Sequence, residues 1–232
     1  MVTLHCNDTD AMNNFEILRK NVADILQSIP SGVILVAAAK TRNAGEVDVA
    51  VKAGIHAIGH NYIQEAEQMH PLVTEKAPWH MIGHLQRNKV KKAVELFDMI
   101  ETMDSLRLAV EVDKHCANAN KIMPVLIEIN SGKESNKTGV LPENAIELIR
   151  QVQTLKHIRV MGLMTMGPRF GNPEDARPYY KITKAIFRKI KEEQIPNVEM
   201  KYLSMGMSNS YQIAIEEGAN IVRIGTSLFG PR

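Results

Sequence analysis

Short apolar runs rich in Val, Ile, Leu and Met alternate along this chain with amphipathic segments of roughly ten to twenty residues. The runs are apolar throughout instead of alternating between apolar and polar positions, which is typical of strands covered on both faces in a parallel sheet. The pattern therefore predicts about eight βα units. The runs span residues 33–39, 57–59, 79–83, 99–102, 124–129, 159–165, 201–204 and 220–224.

About eight βα units in a chain of 232 residues favour a single α/β domain folded as a (β/α)8 TIM barrel. Helical segments at 44–53 and 143–153 lie between predicted strands, and an extra N-terminal helix over about residues 11–28 precedes a barrel that runs from about residue 33 to 232. No linker or low-complexity segment divides the chain, so we expect one domain over residues 1–232. An open doubly wound sheet is the alternative, because closure of a barrel cannot be read from one sequence.

The composition narrows the range of partners and compartments. The 28 basic and 26 acidic residues leave a net charge of +2, which is too small to indicate nucleic acid or a membrane surface as the main partner. The N-terminal residues MVTLHCNDTD lack the basic region of a secretory signal, and no apolar run approaches the roughly 18 residues of a membrane span. Cys6 and Cys116 lack the spacing of a zinc site or a disulfide framework. We therefore expect a cytoplasmic protein without a structural metal.

Lys40 directly follows the first predicted strand. The C-terminal ends of barrel strands form the mouth at which such folds place their chemistry, so this ammonium is a candidate functional group. A lysine that only extends its charge into solvent is the alternative for this residue taken alone. Helix caps and ordinary solvated loops likewise explain other polar residues at strand ends. Those residues are Asn61 after the second strand, His84, Gln86 and Asn88 after the third, and Asn130, Ser131, Lys133, Ser135, Asn136, Lys137 and Thr138 after the fifth.

The strongest local signal is a pair of turns after the last two predicted strands, both rich in glycine and hydroxylated residues. In the first turn, Ser204, Gly206 and Ser208 offer hydroxyls and unhindered backbone N–H groups where a helix begins, a combination that favours phosphate. The second turn offers the same combination of groups at Gly225 and Thr226. Many barrels bind phosphate at the loops after strands seven and eight. Ordinary capped turns are the alternative.

Arg223 interrupts the apolar run of the last predicted strand. A buried guanidinium needs a partner, because an unpaired buried charge is energetically expensive. The two candidates are a structural carboxylate and a ligand atom, either a ring nitrogen or a phosphate.

Seven segments carry these features in order along the chain: VAAAKTR, GHNYIQE, WHMIGHLQRNK, INSGKESNKTG, GLMTM, YLSMGMSNS and VRIGTSLFG. Together they resemble the pyridoxal phosphate homeostasis protein family, whose members look like the N-terminal barrel of alanine racemase standing alone. The resemblance runs from about residue 33 to the C-terminus and implies pyridoxal 5′-phosphate (PLP) as the cofactor. It also implies that PLP is held as a Schiff base on Lys40.

The resemblance implies roles for the other matching positions. Arg223 is implied to face the pyridine nitrogen, and Asn61 to lie close to the cofactor. Two positions depart from the family pattern: Ala39 stands where serine often precedes the lysine, and His60 where glutamate often precedes the asparagine. An imidazole in place of a carboxylate is expected to alter the local charge. The residues implied to lie near the phosphate are Ser204, Gly206, Ser208, Gly225 and Thr226.

The implied site favours a protein that handles PLP over an enzyme that turns it over. An arginine opposite the pyridine nitrogen discourages protonation of that nitrogen and weakens the ring as an electron sink. Alanine racemase uses a second base, a tyrosine, opposite its lysine. The sequence of this chain places no tyrosine opposite Lys40. Its five tyrosines are Tyr62, Tyr179, Tyr180, Tyr202 and Tyr211.

The leading hypothesis is a non-catalytic, monomeric carrier that releases PLP to PLP-dependent apoenzymes or to vitamin B6 salvage enzymes. A minimal-barrel amino-acid racemase is the first alternative. A phosphosugar isomerase or aldolase, in which Lys40 forms its Schiff base with the substrate, is the second.

Overall fold

Eight parallel strands close into a barrel in the computed structural model, which describes residues 7–168 and 171–231. Each strand pairs with the next one in sequence, and the last pairs with the first. The predicted (β/α)8 TIM barrel is confirmed, and the open sheet is excluded. The strands are β1 (Ile34–Ala38), β2 (Ala57–His60), β3 (Trp79–Met81), β4 (Met99–Met103), β5 (Met123–Ile129), β6 (Ile158–Thr165), β7 (Val198–Ser204) and β8 (Ile221–Ile224).

Helices surround the barrel, and the expected extra helix precedes β1. It begins at Asn7 and not near residue 11. Cys6 lies outside the described residues, whereas Cys116 is buried. No helix in the described ranges combines the length and the apolar character needed to cross a bilayer. The α-helices of the described residues are α1 (Asn7–Ser28), α2 (Ala44–Lys52), α3 (Ile63–Met69), α4 (Val90–Leu96), α5 (Leu106–Asn118), α6 (Ala145–Val152), α7 (Arg177–Glu193), α8 (Tyr211–Glu216) and α9 (Thr226–Phe229).

Strand β7 begins at Val198, three residues before the predicted run of residues 201–204. In the first half of the strand, Glu199 and Lys201 are exposed while Met200 is buried. A search for continuous apolar runs misses such a segment, because only one face of the strand carries apolar residues there.

The core has two layers that follow the alternation of side chains along each strand. Residues such as Val36, Leu126 and Ile221 form an apolar cluster inside the barrel. On β8, Val222 and Ile224 belong instead to the layer between the barrel and its helices. Arg223, between these two, therefore points into the barrel interior, where it is 4% exposed.

Candidate functional site

Lys40 lies at the mouth of the barrel, two residues beyond the end of β1. Its ammonium donates a hydrogen bond of 3.3 Å to the hydroxyl of Tyr62 and lies 4.7 Å from the centroid of that ring. Thr41 has a φ of 65°, which is rare for a β-branched residue and turns the chain sharply after the lysine. The Thr41 N–H donates to the carboxylate of Glu65 at 3.3 Å. Lys40 is thus held at the mouth by contacts to the loop and helix that follow β2.

Asn61 lies at the same level as Lys40 on the neighbouring strand. Ala38 pairs with Gly59 in the β1–β2 register, and Lys40 and Asn61 each follow their member of this pair by two positions. A side chain at Gly83 would place its Cβ only 2.3 Å from the Asn61 carbonyl oxygen. The glycine after β3 therefore lets the backbone at Asn61 come close to the next loop.

The two glycine-containing turns meet beside β1. Pairing of Ala37 with Ile224 brings Gly225 next to Ala38, close enough that a Cβ on this glycine would lie 3.3 Å from the Ala38 carbonyl oxygen. The Ser208 hydroxyl accepts hydrogen bonds from the N–H groups of Gly225 and Ser227, both at 3.3 Å. Two backbone donors of the second turn therefore converge on one oxygen of the first.

Gly206 shapes the first turn. It has a φ of 91°, and a Cβ there would lie 2.7 Å from the Ala214 Cβ and 2.8 Å from the Tyr211 Cα. Its carbonyl accepts a hydrogen bond of 3.1 Å from the Arg223 N–H, which ties the turn to β8. Only glycine suits this position, because both the φ value and the close approach exclude a side chain.

Arg223 finds its carboxylate partner inside the barrel. Its Nη1 lies 3.7 Å from Glu101 Oε2 and donates to the Ser204 hydroxyl, while Nη2 donates to the Thr165 carbonyl at 2.9 Å. Ser204 in turn donates to Glu101 at 2.6 Å. The structure thus places the Ser204 hydroxyl on Arg223 and Glu101, and the phosphate contact predicted for this residue stays a prediction.

Sequence reasoning missed Glu101, although a carboxylate inside a predicted apolar strand is a recognisable signal. The side chain is fully buried, and its Oε1 lies 2.7 Å from Nδ1 of His80 on β3. Burial opposes ionisation of this group, but the hydrogen bond and charge of His80 and the charge of Arg223 hold the pKa of Glu101 below its usual range. Glu101 is therefore an ionised carboxylate inside the barrel.

His60 does not act on the site as expected. Its strand neighbour Gly59 faces the interior beside Val36, so the His60 ring faces the outer layer, where it stacks on Trp79 with centroids 5.2 Å apart. Neither ring nitrogen has a hydrogen-bond partner among the described residues, and burial lowers the pKa of His60 to about 4. His60 is neutral at pH 7 and adds no charge at the mouth. Ala39 likewise packs in the outer layer.

The remaining polar residues at strand ends lie on the opposite side of the mouth from the two turns. His84 is 3.6 Å from Asp104, and both line a cavity of about 560 Å³ with Thr138. In the loop after β5, Lys133 pairs with Glu143 at 3.1 Å and Lys137 with Glu134 at 2.5 Å. Both loop lysines are thus neutralised by carboxylates, in contrast to Lys40, whose recorded partner is a tyrosine.

The chain matches known proteins over most of its length. The profile of the family described as alanine racemase, N-terminal domain, matches residues 14–232. The chain is 40% identical over 199 residues to the pyridoxal phosphate homeostasis protein of Aquifex aeolicus, covering 85% of this chain and 86% of the relative. It is 32% identical over 228 residues to the protein of the same name from Pasteurella multocida, covering 93% and 97%.

Solved structures share the fold. PipY of Synechococcus elongatus with PLP bound has a TM-score of 0.84 and 28% identity, covering 92% of this chain and 100% of that chain. An alanine racemase from Clostridium difficile has a TM-score of 0.76 at 17% identity, and only 56% of its length is covered. The fold and the site together define a barrel of the alanine racemase N-terminal class. Within that class, the chain belongs to the pyridoxal phosphate homeostasis protein family.

Proposed function

We propose that this protein binds PLP as a Schiff base on Lys40 and serves as a monomeric, cytoplasmic, single-domain carrier in PLP homeostasis. The observation that carries the proposal is the register of β8 against β1, which brings Gly225 beside Ala38 and hence beside the strand that ends at Lys40. An amine and a set of hydrogen-bond donors suited to a phosphate then share one edge of the mouth. PLP carries the two groups that such an edge recognises, an aldehyde and a phosphate.

The turns fit a phosphate. The N–H groups of Gly225 and Ser227 reach Ser208 Oγ at 3.3 Å, which is long for a hydrogen bond. A phosphate oxygen is a charged and therefore stronger acceptor than a hydroxyl. We propose that the phosphate takes these donors, with Gly206 and Thr226 completing the cradle.

Two further residues complete the proposed site. Arg223 faces the pyridine nitrogen and Asn61 lies beside the cofactor, while Ser204 contributes by holding the guanidinium of Arg223. Bound PLP supplies an aldehyde for reversible covalent capture and a ring that can accept electrons. A guanidinium at the ring nitrogen limits the second property, which favours a carrier over a racemase.

The relatives are named for homeostasis, and this supports release of PLP to PLP-dependent apoenzymes or to vitamin B6 salvage enzymes. The racemase alternative is supported by the shared fold alone. Tyr62 does not supply the missing second base, because its hydroxyl contacts Lys40 itself and not the far side of a ring bound to Lys40.

The test is reconstitution with PLP, followed by borohydride reduction and peptide mapping. We expect a yellow protein with the label on Lys40, and a folded but colourless Lys40→Ala variant. Lys133→Ala is the matched control and should stay yellow. A label mainly on Lys133 or Lys137 would move the Schiff base to the loop and refute the assignment. Equal affinity for PLP and for pyridoxal, which lacks the phosphate, would refute the role of the turns.

A further inference from the structure

Four buried polar side chains form a continuous path across the barrel interior from β3 to β8. This polar path runs from His80 to Glu101, Ser204 and Arg223, and all four residues are buried. Glu101 and Ser204 are 103 residues apart in sequence and come from β4 and β7, which are three strands apart around the barrel. The path therefore connects the wall opposite the turns with the arginine beside them.

The direction of the hydrogen bonds in the polar path is determined by chemistry. An ionised carboxylate and a guanidinium have no freedom of role, since the first only accepts and the second only donates. The Ser204 hydroxyl must therefore donate to Glu101 and accept from Arg223. Because Ser204 bonds to both groups, the position of the guanidinium depends on the position of the carboxylate.

The polar path also balances charge. Arg223 is 4% exposed and Glu101 is fully buried, so each would be costly without the other. Among the described residues, Glu101 is the carboxylate that pairs with the guanidinium, with 3.7 Å between Arg223 Nη1 and Glu101 Oε2. Glu101 therefore reduces the positive electrostatic potential that Arg223 produces at the mouth.

We propose that Glu101 is a positioning residue for the PLP site: through Ser204 it fixes the guanidinium of Arg223, and its charge offsets the positive charge that Arg223 presents to the bound ring. His80 holds the second oxygen of the carboxylate and so fixes the orientation of Glu101. This inference rests on the proposed function, because it concerns PLP bound to Lys40.

The pH dependence of the yellow absorbance tests this inference. The yellow form of a PLP–lysine Schiff base is the form protonated at the Schiff-base nitrogen, and positive charge nearby makes that proton easier to lose. Glu101→Gln keeps the shape and a hydrogen-bond acceptor but removes the negative charge. We expect the midpoint of the yellow transition to fall by about one pH unit, a tenfold loss of proton affinity. A midpoint that is unchanged or higher overturns the proposal.

Glu128→Gln is the matched control. Glu128 is also buried inside the barrel, on β5, with Oε1 accepting a hydrogen bond of 2.8 Å from Thr138. Burial raises the pKa of this carboxyl, although the hydrogen bond from Thr138 opposes the shift. Because Glu128 bonds to Thr138 and lies outside the polar path that holds Arg223, the same substitution should leave the midpoint within about 0.3 pH units of the wild-type value. A shift as large as that of Glu101→Gln would show a general effect of changing the interior and would overturn the proposal.

Ser204→Ala keeps the proposal testable if Glu101→Gln does not fold. It retains both charges but removes the link between them, so we expect the midpoint to move in the same direction by a smaller amount and PLP affinity to fall about fivefold. Wild-type affinity and midpoint in Ser204→Ala would overturn the positioning role. Wild-type protein that never turns yellow would refute the proposed function itself, whereas yellow wild-type protein with an unshifted Glu101→Gln refutes only the inference.

Discussion

The Lys40 ammonium donates its hydrogen bond of 3.3 Å to the hydroxyl of Tyr62 and lies against the face of the same ring. An ammonium is not a nucleophile, so the amine has to lose a proton and leave this hydroxyl before it can attack an aldehyde. Tyr62 is thus the partner from which the amine has to be released. Tyr62 is 49% exposed and Lys40 is half-buried, so solvent reaches the contact between them.

Replacing Tyr62 with Phe removes the acceptor and retains the ring. We expect the Schiff base to form about two- to fivefold faster at equal PLP concentration, since one partly exposed hydrogen bond is worth roughly 0.5–1 kcal/mol. Stopped-flow absorbance measures the rate. Tyr211→Phe is the control, because the Tyr211 hydroxyl contacts Ser28 on α1 and should not affect the reaction. A slower Tyr62→Phe variant would mean that the hydroxyl helps to remove the proton.

Gly206 and Gly32 allow the strain of a turn to be separated from its crowding. Both have a φ near 90°, but a Cβ on Gly32 meets no atom within 4 Å, whereas one on Gly206 meets two within 2.8 Å. We expect Gly32→Ala to lower the free energy of unfolding by about 1 kcal/mol and Gly206→Ala by at least twice that. Gly206→Ala should also weaken PLP binding at least about tenfold, because the turn must move. Urea unfolding and PLP titration provide the measurements, and equal effects of the two substitutions would contradict the argument.

His60 makes stability depend on pH. Its pKa is about 4 in the folded protein and about 6.5 when unfolded, so the unfolded chain binds the proton more readily between these values. The contribution of neutral His60 is fully present above about pH 6.5 and is lost as the pH falls toward 4. It amounts to about 3 kcal/mol.

His60→Phe should therefore flatten the acid side of the stability curve. We expect the free energies of unfolding of wild type and variant to differ by a constant amount above about pH 6.5. Near pH 4, the variant should have become more stable relative to the wild type by about 3 kcal/mol. Urea unfolding across this range is the measurement. The same slope in both proteins would show that His60 is solvated.

Racemisation by the loaded protein should be very slow. Racemisation needs proton removal on one face of the bound amino acid and proton return on the other, and Lys40 serves only one face. Deuterium incorporation into alanine and serine at saturating PLP measures the exchange. A turnover in the ordinary enzyme range, about 1–10³ s⁻¹, would favour the racemase alternative over the carrier.

Much of this site could be predicted because strand order alone brings strand ends together. Once β1, β7 and β8 are assigned to one closed barrel, Lys40 and the turns at Gly206 and Gly225 must meet at the mouth. The register that sets Gly225 beside Ala38 required coordinates. So did the contact of Tyr62 with Lys40, because it joins side chains at the ends of two different strands.

Long-range partners were beyond sequence reasoning. Glu101 could be seen as a carboxylate in an apolar strand, but nothing in the chain links it to Ser204, 103 residues away. The direction of a side chain also decides function: His60 is adjacent to Asn61 in sequence, yet alternation along β2 turns its ring to the outer layer, onto Trp79. Its proximity to the site in sequence was misleading for that reason.

Pairing of β8 with β1 also has a consequence for how the site comes into being. Lys40 follows β1 and Gly225 follows β8, so the two are not brought together on a growing polypeptide until β8 has docked on β1. A partly folded chain would carry the Lys40 amine without the turn at Gly225 beside it. Any ligand that requires both would bind the fully closed molecule selectively and would stabilise it by mass action. Ligand occupancy would then report on the completion of folding, and removal of β8 together with the residues after it should abolish binding by leaving the ring of strands unclosed.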